Sequence, residues 1–274
     1  EVALQIIPVG MDPEQAISPV PEVKPMELVV EPYSRREVGY PAIAEAHAAS
    51  SLVSIEHVRE LWGMPPSPAT PEIQGKLFPL SCPPAEDLPQ DTIEEVILRR
   101  GSSRRFRRSP ISYQQLSIML DRAARPIPAD FIERSDATLN QIYLIANGVD
   151  DLPSGSYVYR RDLGALEQLS EGDFRERAGR LDLGQELAAD ASVNIYFLTD
   201  LNAVLQRYGN RGYRMAQMEA SITAGRLYLA AYAQKLGATG LTFFDDEVTE
   251  FFSPHAEGKS VMFLLAVGRS GRRG

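Results

Sequence analysis

Apolar positions follow two periods along residues 91–274, a helical one and a strand-like one, in alternation. The longest helical pattern runs from Tyr213 to Leu236, where Met215, Met218, Ile222, Gly225, Leu229, Tyr232 and Leu236 recur on one stripe. Asp91 followed by Glu94 predicts a capped helix through Ile93, Val96 and Ile97 that ends at Gly101. Ser112 followed by Gln115 predicts a second, carrying Leu116, Met119, Leu120 and Ala123. Shorter helices are expected over Asp173–Arg180 and Gln185–Ala189. Strands are expected over Thr138–Ala146, Tyr157–Tyr159, Val193–Leu198, Leu241–Phe244 and Ser260–Val267, with Pro153–Ser156 as a turn. Strands interleaved with helices, at both hairpin and crossover spacings, predict an α+β domain around one sheet.

Residues 1–90 read differently. Prolines at 65, 66, 68, 71, 79, 83, 84 and 89 remove donors and interrupt helices, so this part is expected to be extended, wrapping chain. Short helices fit only around Ala42–Ala49 and Ser54–Leu61. The expected division is therefore 1–90, a wrapping segment, and 91–274, a domain. Leu4–Gly10 echoes Phe263–Gly268: both are apolar strands closing in Val-Gly. The echo suggests that the chain opens on the last strand of a preceding copy of its own domain.

Composition narrows the chemistry. A formal charge of −9 over 274 residues argues against a general nucleic-acid binder. The single cysteine, Cys82, cannot form an internal disulfide, which favours a reducing, cytoplasmic setting. Apolar runs are too short to span a bilayer, so no membrane partner is expected. The three histidines, His47, His57 and His255, form no metal-binding pattern, and there is no nucleophile elbow, Walker loop or Gly-x-Gly-x-x-Gly fingerprint. An enzyme of this composition would depend on an organic cofactor.

One segment reverses the acidic balance. Six arginines fall within Arg99–Arg108, interrupted by Gly101, Ser102 and Ser103. Forked guanidinium donors beside glycine and serine suit a bound phosphate, whereas an exposed basic turn would need no ligand. The C-terminal Arg269, Arg272 and Arg273 repeat the mixture of Arg, Ser and Gly.

Arg100-Gly101-Ser102-Ser103-Arg104-Arg105-Phe106 resembles the Arg-x-Ser-x-Arg-x-Phe opening of FMN-dependent nitroreductase-fold proteins. Leu152–Tyr159, Arg207–Arg214, Leu227–Thr239 and Ser260–Gly268 resemble further family segments in the expected order, over about 180 residues. The Arg207–Arg214 segment is nearest the SagB-type branch, which includes azoline dehydrogenases. The resemblance implies a nitroreductase-like α+β fold, a central mixed sheet flanked by helices, with the N-terminal segment wrapped around it. It further implies FMN, with Arg100 and Ser102 on its phosphate, Arg104 at the pyrimidine side of the ring, backbone amides near Thr242 and Phe243 at flavin N5, and Arg269 and Arg272 completing the phosphate site. NAD(P)H is implied as reductant. A small organic molecule is implied as substrate, and a homodimer or a preceding nitroreductase-like half as partner. Arg207 and Tyr208 occupy the positions of a catalytic Lys-Tyr pair, but arginine is a poor general base.

Other departures accompany that one. Ile132–Thr138 carries Glu133 and Asp136 where relatives have small residues, and Ser221 replaces a frequent glycine. Three readings follow: an FMN-dependent oxidoreductase, a dehydrogenase of a natural product or azoline-containing peptide, and a flavin-site-degenerate half that scaffolds an active partner.

Overall fold

The computed structural model describes residues 36, 38–61, 72–129, 131–132 and 137–271. The Leu4–Gly10 echo, most of the 132–138 segment and Arg272 lie outside the described residues. The chain divides into two compact units, 1–41 and 42–274.

The first elements among the described residues are two short helices, α1 (Pro41–Ala49) and α2 (Ile55–Glu60), the latter capped by Ser54. The proline-rich stretch then contributes a strand, β1 (Leu77–Pro79), which the sequence pattern did not predict. Helix α3 (Ile93–Arg99) opens on a capping box one residue later than expected, Thr92 with Glu95. Asp91 instead pairs with Arg99 at 2.6 Å and with Lys235. Strands β2 (Phe106–Arg107) and β3 (Ile111–Ser112) follow, then α4 (Tyr113–Ala123) with the predicted Ser112–Gln115 box.

Next come β4 (Asn140–Ala146), β5 (Val149–Asp150), β6 (Gly155–Arg160), β7 (Ala165–Glu171), α5 (Arg175–Leu181) and α6 (Glu186–Asp190). The chain continues through β8 (Val193–Thr199), α7 (Leu201–Tyr208) and the long α8 (Arg211–Ala233). It closes with β9 (Gly237–Gly240), α9 (Asp245–Phe252) and β10 (Ser260–Ser270). The predicted strand at Leu241–Phe244 is displaced to β9, because Gly237–Gly240 is the stretch that pairs with Leu265–Gly268.

Eight strands form one sheet in the order β1-β7-β6-β4-β8-β10-β2, with β9 also on β10. Its pairings are antiparallel, and the parallel pair, β3 with β5, stands apart. Alternation along β4 and β8 makes the two faces. Ile142, Leu144, Ile195 and Phe197 pack with Leu116, Met119 and Leu120 of α4 and Ala216, Ala220 and Ala224 of α8. Tyr143, Ile145, Tyr196 and Leu198 pack with Leu181 of α5 and Val248 and Phe252 of α9. The result is an α+β fold with the sheet between helical layers.

Helix α8 has the predicted period but turns a different face inward. Its buried positions are mostly small, Ala216, Ala220, Ala224 and Ala231, which lets the helix approach the sheet closely. Met218 and Ile222 of the predicted stripe are 45% and 40% exposed. Buried Glu219 fixes the helix to the start of β4: its Oε2 accepts from the amides of Leu139 and Asn140 at 3.0 and 2.8 Å. No described helix is long and apolar enough to cross a membrane.

Candidate functional site

The loop from Arg100 to Arg105 leaves α3 and is fastened to the sheet edge at three points. Ser103 N–H donates to Ala238 O at 2.9 Å, the Ser103 and Ser270 hydroxyls share a hydrogen bond at 2.8 Å, and Gly271 N–H donates to Arg105 O at 2.9 Å. The register of β2 on β10, Arg107 opposite Arg269 and Phe106 opposite Ser270, continues the attachment. One position ahead of buried Ser103, exposed Ser102 bonds the Thr239 hydroxyl at 2.9 Å. Gly237 is what permits this closeness. A Cβ there would lie 2.0 Å from Ser270 Oγ and 2.2 Å from Ser103 Oγ. Gly237→Ala is expected to break the serine pair and cost about 1–3 kcal/mol of stability by overpacking. Thermal unfolding measures it, and an unchanged transition would contradict the close approach.

The structure divides the six arginines. Arg99 is held by Asp91 and by Tyr232 O at 2.9 Å, and Arg108 by Asp190 at 2.6 Å. Arg100 is exposed and lies over the Tyr228 ring, 5.3 Å from its centroid. The Tyr228 hydroxyl in turn accepts from Gly240 N–H at 2.7 Å, tying the arginine's support to β9. Neither Arg100 nor Arg104 pairs with a carboxylate among the described residues. The N–H groups of Gly101 and Ser102 find no acceptor among the described residues.

Thr242 and Phe243 continue the same edge, three and four residues past Thr239, so the Thr242 backbone lies within about 10 Å of it. Leu241 N–H donates to Leu264 O and Phe244 N–H to Leu181 O, at 3.3 and 2.8 Å. Between them the amides of Thr242 and Phe243 have no acceptor among the described residues. Thr242 is exposed and Phe243 half-buried, so both amides are open to solvent or to a ligand. They lie at the edge that carries Arg100 and Arg104, which have no carboxylate partner among the described residues. Gln185 Nε2 braces the loop on Thr242 O and its hydroxyl, at 3.3 and 3.2 Å.

The other predicted residues sit elsewhere. Strand alternation turns Arg269 away from Ser270, and its Nε donates to Pro110 O at 2.9 Å. Arg207 and Tyr208 lie beyond the start of α8, whereas Tyr228 lies near its end, and Arg211 and Tyr228 are about 25 Å apart at helical rise. Tyr208 is buried, donates to Phe131 O at 2.9 Å, and is pushed up in pKa by that burial. The structure adds Tyr228, Thr239 and Ser270 to the edge. Tyr228 and Thr239 fall within a family-like stretch, but only tertiary contact shows what they support.

Residues 97–269 match the nitroreductase family. The chain belongs to the nitroreductase family. It is 24% identical over 193 residues to a protein named as a nitroreductase in Methanocaldococcus jannaschii, an alignment covering 67% of this chain and 93% of that one. A nitroreductase structure from Anabaena variabilis superposes with a TM-score of 0.62 at 27% identity, covering 72% of this chain. This nitroreductase chain spans only 42% of the Anabaena protein's length. A structure from Ralstonia eutropha gives a TM-score of 0.58 at 20% identity, covering 77% of this chain and 97% of that one. A chain of the Escherichia coli microcin synthetase complex shares the fold at a TM-score of 0.54 and 16% identity, with 82% of this chain and 86% of that one covered.

Proposed function

We propose that this nitroreductase-family oxidoreductase binds FMN at the β9 edge and exchanges hydride with a small organic substrate. The observation that carries this reading is the pair of solvent-open amides at Thr242 and Phe243, on the edge where Arg100 and Arg104 have no carboxylate partner among the described residues. These donors fit the group: forked cations and free N–H groups suit a phosphate, and a backbone amide without a protein acceptor suits a ring nitrogen. Arg100 and Ser102, with the Gly101 and Ser102 amides, hold the phosphate. Arg104 places positive charge at the pyrimidine side, where it favours an anionic reduced ring. The amides of Thr242 and Phe243 donate at the N5 edge. FMN, when bound, supplies hydride transfer, and NAD(P)H is the proposed reductant. Arg269 joins the phosphate only after leaving Pro110 O.

A second nitroreductase-like unit, a homodimer partner or a preceding half, is part of the proposal. Met218 and Ile222, four residues apart, leave apolar surface exposed on one side of α8, which a second unit would cover. The greater length of the Anabaena relative accommodates either arrangement.

Purified protein is expected to be yellow and to take up added FMN. Arg100→Ala should weaken FMN binding by about 10- to 150-fold, the loss of a charge-assisted contact of about 1.5–3 kcal/mol. Fluorescence titration of FMN reads the change. Unchanged affinity would remove Arg100 from the phosphate site, and a colourless protein that takes up no FMN would favour the scaffolding reading.

A further inference from the structure

A second site stands at the opposite end of α8 from the β9 edge. A cavity of about 140 Å³ opens between the chain around α2, Phe131 and the first turns of α8. Its apolar walls are Leu52, Val58, Leu61, Phe131, Met215 and Met218. Arg211 and Arg214 also line it, three residues apart and therefore neighbours on the helix surface.

The two arginines are placed against the preference of the helix. Cations at a helix N-terminus oppose the macrodipole, which favours negative charge there. The first turn of α8 carries no acidic residue, and Asn210 provides no side-chain cap. Nor is either arginine neutralised by a carboxylate among the described residues. Arg211 Nη1 donates to Ser50 O at 3.3 Å. Arg214 Nη2 donates to His47 Nδ1 at 2.8 Å and to His47 O at 3.2 Å. Each guanidinium has five N–H donors, so most remain available. Burial first, and then the charge of Arg214, lower the affinity of Arg211 for its proton.

The walls specify the rest of the ligand. A cavity of about 150 Å³ takes one benzene ring. Two methionine sulfurs and a phenylalanine favour an aromatic ring over an aliphatic chain of the same volume. We propose that this cavity binds a monocyclic aryl carboxylate, its ring among Met215, Met218 and Phe131 and its carboxylate on Arg211 and Arg214. The site is separated from the β9 edge by most of the length of α8, and the proposal does not depend on FMN.

Benzoate is the probe, added to the full chain carrying methyl-labelled methionine and followed by calorimetry and NMR. Saturable binding with shifts at the Met215 and Met218 methyls is expected, and benzamide, which lacks the charge, should bind at least tenfold more weakly. Arg211→Gln and Arg214→Gln should each weaken benzoate by about 10- to 100-fold, while Arg100→Ala leaves it unchanged. Met215→Leu keeps the apolar volume and the arginines, so it should retain charge selectivity even if a glutamine variant misfolds. Equal affinity for benzamide, or binding that leaves both methyls unshifted, would overturn the proposal. Loss of benzoate in Arg100→Ala alone would place the ligand at the β9 edge instead.

Discussion

Replacing Asp182 with asparagine is expected to flatten the dependence of stability on pH between 5 and 8. Asp182 is fully buried at the end of α5, and its hydrogen-bonding side-chain partner is the Tyr196 hydroxyl, donating at 3.0 Å to Oδ1 and 3.3 Å to Oδ2. Burial pushes its pKa up to about 8, against which the tyrosine donor is a lesser, opposing influence. The unfolded carboxyl titrates near 3.9. Between those values the folded protein keeps a proton that the unfolded chain releases. Stability from this group is therefore complete below about pH 4 and declines as pH rises through 8. At about 1.4 kcal/mol per pH unit, the loss from pH 5 to 8 is about 3–4 kcal/mol.

Asparagine stays neutral and still accepts from Tyr196, but brings an amide that needs an acceptor, costing about 1–3 kcal/mol. The variant should consequently be less stable than the parent near pH 4 and more stable at pH 8. Urea unfolding across that range tests this, and parallel curves for the two proteins would refute the buried proton. The outcome bears on the candidate site. Leu181 O receives the Phe244 amide, and Gln185 Nε2 bridges Asp182 O to Thr242 O at 2.9 and 3.3 Å. Ionising Asp182 should loosen the loop that presents the Thr242 and Phe243 amides.

Local rules reached the elements whose signals are local. The Ser112–Gln115 box appears where the spacing put it, and β8 is buried from Val193 to Thr199, as its apolar run implied. Elements decided by a partner were harder to read. Strand β1 lies in a proline-rich stretch and exists because β7 offers it an edge, where Pro79 is tolerated. The apolar Leu241–Phe244 looks more strand-like than Gly237–Gly240. Yet only glycine allows Ser103, Ser270 and β10 to converge at residue 237, so the edge strand forms there. The same logic governs the site. The order of Arg100, Ser102 and Arg104 marked the loop. The carboxylates that occupy Arg99 and Arg108 come from positions 91 and 190, beyond any local pattern. The absence of a carboxylate on Arg211 and Arg214 among the described residues is likewise a tertiary fact.

Loss of Glu167 should release the proline-rich segment from the sheet. The side chain is fully buried on β7. Its Oε1 accepts from the Gln74 and Gly75 amides at 2.7 and 3.1 Å, and its Oε2 from Arg160 Nη1 at 2.8 Å. Burial by itself would raise this carboxyl; the Gln74 amide, Arg160 and the Gly75 amide outweigh it and hold the pKa below the usual range. Such a carboxylate stabilises the fold above its unfolded pKa, and the contribution disappears as pH falls through the folded value. Glu167→Ala takes the acceptor from two backbone donors and leaves a buried guanidinium with Asp162 as its one carboxylate among the described residues, and breaking such a buried pair costs about 3–5 kcal/mol. In a domain of this size that lowers the unfolding midpoint by about 10 °C. Hydrogen exchange should show loss of protection at the Gln168 amide, which donates to Lys76 O at 2.9 Å. Gly75→Ala reaches the same end without touching charge, since its Cβ would lie 1.8 Å from Gln168 O. If both variants release β1 but only Glu167→Ala flattens the acid limb of the stability profile, the carboxylate's charge and the strand's docking are separable. If Glu167→Ala leaves the Gln168 amide protected, the segment is held by the backbone ladder alone.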